Sequence, residues 1–112
     1  MATNLEALAS YTLSRSKLEQ GQIKDELAAL GPRWSVDGDD LKLVLPMKPM
    51  VKAAEVAAQA AVIADQMDHH PQIVIEYPGV TLRIHTHDAK AITVTDLVFA
   101  ARLEQWLRTR GW

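Results

Sequence analysis

All four histidines of the chain lie between residues 69 and 87. His69 and His70 are adjacent and run into Pro71; His85 and His87 stand two apart. Imidazole is the side chain that gains and loses a proton near neutral pH, so a cluster this tight points to general acid–base chemistry. Pro71 restricts the residue before it and turns His70 out of helical geometry. Residues two apart on a strand project from one face, which places His85 beside His87. A metal site is the rival reading. Two imidazoles at i and i+2 make a common zinc or iron pairing that Asp65, Asp68 or Asp88 could complete. No longer metal motif accompanies them. Taken singly, each histidine also reads as an ordinary surface or turn residue.

The composition narrows the classes. The chain has 112 residues, 48% apolar and 23% charged, with a net charge of -2 and no cysteine. That is one globular domain with a modest core. Disulfides, thiolate catalysis and cysteine–zinc sites are excluded. No basic block is present to follow a phosphate backbone, so nucleic acid is not an expected direct partner. No apolar run is long enough for a membrane span, and the N-terminus lacks a secretory signal pattern, so a cytoplasmic location is expected.

The elements that must position the histidines follow from periodicity. Residues 1–15 lack a sustained apolar period and read as a loosely ordered extension or a short helix; residues 16–112 read as a single domain. A helix is expected from about Lys17 to Leu30, ended by Gly31-Pro32. Trp34 and Val36 alternate with polar neighbours, Asp37-Gly38-Asp39-Asp40 is a turn, and Leu41, Leu43 and Leu45 continue the alternation. A long helix is expected from about Pro49 to Asp68, with Val51, Ala54, Ala58, Ala61 and Val62 tracing its apolar face. Ile73, Ile75 and Tyr77, a Pro78-Gly79 turn, and Val80, Leu82 and Ile84 form a hairpin. Thr93 or Thr95 can cap a last helix, with Asp96 in its first turn near the positive end of the dipole. That helix is apolar on more than one side, which implies packing against its own sheet and against a second copy of the chain. The fold class is α+β: a four-stranded antiparallel sheet with three helices on one face.

These residues together resemble a known family. Asp65, His69-His70-Pro71, Tyr77, Thr86-His87-Asp88, Thr93 and Asp96 are similar to the signature of the pterin-4a-carbinolamine dehydratases, and the likeness covers roughly residues 18 to 108. The resemblance implies a dehydratase fold in a homodimer or homotetramer, and dehydration of 4a-hydroxytetrahydropterin to the quinonoid dihydropterin without metal or organic cofactor. It implies His69 and His87 as acid and base and His70 as the residue that positions the pterin. Asp68, Pro71 and Asp88 are candidates to orient the site, since a carboxylate beside an imidazole favours its charged form.

Three segments depart from the family pattern. The long helix starts in Pro46-Met47-Lys48-Pro49-Met50 rather than in aromatic residues. The loop after His87 reads Ala89-Lys90-Ala91 where glycine is common. Ile73 stands where an aromatic residue is frequent. The resemblance therefore also implies an alternative, a dehydratase-like protein of little activity that assists assembly of another protein. Rubisco in a carboxysome, a bacterial microcompartment, is one such case in the family. Trp106 and Trp112 would suit such a binding surface.

Overall fold

The structure is a computed structural model that describes residues 4–112. Four helices and four strands follow in the order α1 (Leu5–Ala9), α2 (Gln20–Leu30), β1 (Trp34–Asp37), β2 (Asp40–Pro46), α3 (Met50–Met67), β3 (Gln72–Glu76), β4 (Gly79–Ile84) and α4 (Val94–Thr109). The strands form one antiparallel sheet in the order β1-β2-β4-β3. Register aligns Leu41, Leu43 and Leu45 of β2 with Ile84, Leu82 and Val80 of β4, so the apolar rows coincide and bury one face against the helices. The opposite face carries Lys42, Val44, Thr81 and Arg83, half-buried or exposed. A side chain at Gly79 would place its Cβ 2.6 Å from the Leu45 carbonyl oxygen, so only glycine lets β4 start this close to β2.

The expected α+β sheet is present, with four helices rather than three. The additional helix is α1, inside residues 1–15, the stretch read as a loosely ordered extension or a short helix. Asn4 caps it by accepting the Ala7 N–H through its side chain (2.8 Å), and Leu5, Leu8 and Ala9 are buried. Five residues fix little helix by themselves, so tertiary packing on α4 holds this turn. Arg102 of α4 donates to the Ala9 carbonyl (3.3 Å), and Ser14 accepts from the Thr95 backbone N–H (3.2 Å). The second apolar side of α4 is thus covered by the chain's own N-terminal segment.

Helix α3 falls where expected but presents a different face. Ala53, Val56, Ala60, Ile63 and Ala64 are buried; Val51 and Val62 are 61% and 47% exposed. Alanine-rich sequence is apolar all round, so periodicity does not select one face. The face that buries a large branched residue in each half, Val56 and Ile63, wins on area.

The C-terminal tryptophans pack on their own chain. Trp106 and Trp112 meet edge to face at 5.7 Å, with the Arg110 guanidinium over both rings and Lys52 of α3 over Trp112. Beneath them Glu104 of α4 is buried and fully matched. It accepts from Arg33 at 2.9 and 3.0 Å, from the Trp34 indole at 2.9 Å and from Arg108 at 2.8 Å.

Glu26 of α2 is the opposite case. It is fully buried, and neither carboxylate oxygen has a partner among the described residues. Burial pushes its carboxyl above the usual range, with Asp25 adding to the effect. A folded-state value above the unfolded one leaves stability intact below about pH 4.5 and erodes it as pH rises through the folded value. Glu26→Met should therefore raise the melting temperature at pH 7, by about 1–3 kcal/mol of stability. The gain should shrink toward pH 4. Thermal unfolding at both pH values checks this, and an equal gain at both would refute the assignment to ionisation.

Candidate active site

The long helix stops at Asp68, whose backbone is left-handed (φ 49°, ψ 47°), and the His69 N–H closes the last turn on the Ala64 carbonyl at 3.0 Å. This reversal sends two neighbouring imidazoles in opposite directions. His69 turns inward and is 5% exposed; His70 stays at the surface.

His69 is held by a carboxylate that no spacing rule singled out as a site residue. Its Nε2 lies 2.5 Å from Asp96 Oδ1, and Asp96 is fully buried in the first turn of α4. The other oxygen, Oδ2, accepts from the Thr86 hydroxyl and from the Thr93 N–H, both at 2.8 Å. Thr86 and Thr93 hydroxyls are 2.6 Å apart. Since Thr86 gives its proton to Asp96, Thr93 is the donor in that pair. Thr93 and Asp96 form the capping box of α4, so the carboxylate sits at the positive end of a helix dipole while it caps it. With Asp96 on Nε2, the neutral ring carries its proton there and Nδ1 is its acceptor nitrogen.

His70, His85 and His87 share a cavity of about 350 Å³ with Gln72, Arg83 and Asp40. β4 and the residues that follow it supply one wall. Ile84 and Thr86 point to the core, so His85 and His87 point outward, with ring centroids 6.1 Å apart. Carboxylates anchor two of the three rings: His70 Nε2 to Asp65 Oδ1 at 3.1 Å, and His85 Nδ1 to Asp40 Oδ1 at 2.8 Å. The loop beyond His87 closes by a Thr86–Ala91 bridge, and Lys90 takes the left-handed conformation (φ 50°) where glycine would be the easy choice.

The expected orienting residues lie elsewhere. Asp88 pairs with Arg15 at 3.3 Å on the surface, and Asp68 is the helix cap, with no side-chain hydrogen bond among the described residues. Pro71 sits where it was expected, between His70 and β3. The rival metal arrangement has no counterpart: among the described residues no three His, Cys, Asp or Glu side chains are grouped to hold an ion. Asp96 was visible in the sequence as a helix-start acid; its partner His69 is 27 positions away and no periodicity links them.

This geometry generates a direct test. An Nε2–H shared with a buried carboxylate should give a far-downfield proton resonance assignable to His69, absent in Asp96→Asn. The same variant should lose about 1–3 kcal/mol of stability. A wild-type spectrum without that resonance would remove the pair.

The comparisons with known proteins agree with the fold. The family described as Pterin 4 alpha carbinolamine dehydratase matches residues 16–106. A Streptomyces avermitilis protein named "Putative pterin-4-alpha-carbinolamine dehydratase" is 34% identical over 88 residues, 78% of this chain and 86% of that one. A Sulfolobus acidocaldarius protein of the same name is 30% identical over 89 residues, 80% of this chain and 97% of that one. A Brucella melitensis crystal structure, titled transcriptional coactivator/pterin dehydratase, superposes with a TM-score of 0.74 at 28% identity, covering 80% of this chain and 97% of that one. With the match running from α2 into α4 and enclosing all four histidines, the chain belongs to the pterin-4-alpha-carbinolamine dehydratase family.

Proposed function

We propose that the chain is a lyase that dehydrates 4a-hydroxytetrahydropterin to quinonoid dihydropterin. The observation that carries the reading is the open cavity walled by His70, His85 and His87 within a domain of this family. Its volume falls in the range of small-molecule sites. The reaction breaks the C4a–O and N5–H bonds, forms a C4a=N5 double bond and releases water. One group must protonate the departing hydroxyl and another must take the N5 proton. His70 and His87 both line the cavity, and they are the pair proposed for the two transfers. His69 is the residue whose expected role changes. With its ring buried and Nε2 committed to Asp96, it serves as a positioning residue that fixes the bend from which His70 projects. Asp65 steadies the His70 ring.

The assembly-factor alternative draws less support, since Trp106 and Trp112 are engaged with Arg110 and Lys52 of the same chain.

Dehydration of freshly generated 4a-hydroxytetrahydropterin should be accelerated by the protein. His70→Ala and His87→Ala should each lose about 10²- to 10⁴-fold in kcat, the usual worth of a positioned acid or base. A folded protein with no acceleration over the spontaneous reaction would overturn the reading in favour of a binding role.

Self-association belongs to the same proposal. With α1 on the second side of α4, the surface proposed to meet a second copy is the outer stripe of α3, where exposed Val51 and Val62 flank Ala54, Ala58 and Ala61. Val62→Glu should lower the mass measured by light scattering, and a mass unchanged from a wild-type oligomer would place the interface elsewhere.

A further inference from the structure

Resting on the dehydratase reading, we infer that His85 is a substrate-binding residue, held by Asp40 so that one ring nitrogen accepts a hydrogen bond from the donor-bearing edge of the substrate. His85 lies just past the end of β4, opposite the start of β2, where the sheet brings Asp40 alongside. Its Nδ1 is 2.8 Å from Asp40 Oδ1. The carboxylate is itself fixed: Arg83 donates to Asp40 Oδ2 at 3.4 Å and reaches Asp37 at 2.8 Å. Asp40 is only about a quarter exposed, so this is no freely rotating surface pair.

A carboxylate on Nδ1 settles the tautomer of a neutral imidazole. In the neutral ring the proton faces Asp40 on Nδ1, and Nε2 is the acceptor. The ring lines the cavity shared with His70 and His87, yet its side chain remains 41% exposed. An imidazole with one nitrogen tethered and the ring otherwise open is prepared for an incoming partner. The basic groups nearby do not recruit an anion, because Arg83 and Lys42 together are balanced by two carboxylates, Asp37 and Asp40. At His85 Nε2 the wall offers an acceptor to a hydrogen-bond donor of the substrate. A pterin has amino, ring N–H and hydroxyl donors to offer, and an analogue lacking them would forgo that hydrogen bond. Acid–base work stays with His70 and His87; His85 contributes affinity and orientation.

The test separates binding from chemistry. His85→Leu removes the acceptor, and His85→Gln retains one. Steady-state dehydration should show KM raised about 3- to 10-fold in His85→Leu, the worth of one neutral hydrogen bond, with kcat within about twofold and partial recovery in His85→Gln. Titration with 7,8-dihydropterin should show the same factor in Kd. Asp40→Ala should raise KM likewise, and combining it with His85→Leu should add nothing further, because Asp40 acts through the ring. A folded His85→Leu protein with unchanged KM and Kd would overturn the inference. So would a loss confined to kcat, which would move His85 into the chemical step. A wild-type protein that binds dihydropterin without turning over bears on the dehydratase reading alone, and the Kd comparison then still decides the role of His85.

Discussion

The structure depends on one buried carboxylate, Asp96. Three elements end at it: α3 through His69, β4 through Thr86, and α4 through its own first turn and Thr93. A charge with no exposure is tolerated only when donors replace its lost water, and here an imidazole, a hydroxyl and a backbone amide do so. The demand runs in both directions. The carboxylate needs those donors, and the donors lie at the chain reversals on either side of the cavity. Satisfying Asp96 therefore fixes where His70 and His87 leave the framework, since each is bonded in sequence to a residue that the carboxylate holds. The two imidazoles are thus set by rigid neighbouring positions, to which His70 adds its own contact with Asp65.

Much of this was legible in the sequence because it follows from period and punctuation. The period-two rows Leu41-Leu43-Leu45 and Val80-Leu82-Ile84 placed the two central strands, and the register found between them is the one that superposes their apolar faces. Turn residues placed both hairpins. Two features were left undecided. The orientation of α3 was not readable, because its alanines make every side acceptable and only volume chooses among them. For α1 the choice between a loose extension and a short helix stayed open, because four apolar residues in five show no period; its packing on α4 decides it.

The site divides along the same line. Clustering of the histidines in the sequence was enough to identify the region, since adjacency and i, i+2 spacing are local facts. Which carboxylate meets which ring is not local. Asp88 stands next to His87 in sequence yet reaches Arg15, while Asp96, Asp65 and Asp40 meet His69, His70 and His85 across 27, 5 and 45 positions. Nor does the sequence reveal that adjacent histidines face opposite ways. That outcome needs the left-handed cap at Asp68, a backbone state open to aspartate without glycine.

Three buried carboxylates of one chain then rank what burial is for. Glu104 is met by two arginines and an indole and closes the far end of α4 against β1. Asp96 is met by weaker, mostly uncharged donors and a helix dipole, and its strongest partner is a titratable ring. Glu26 is met by no side chain or backbone group among the described residues. An arginine would have satisfied Asp96 more strongly, since guanidinium pairs carboxylate in two bonds and never gives up its charge. It would also have placed a fixed cation in the bend beside the imidazoles of the cavity. An imidazole can hold the same oxygen through one N–H without a permanent charge. On the proposed reading, histidine rather than arginine at residue 69 holds Asp96 while keeping a permanent cation out of the bend beside His70.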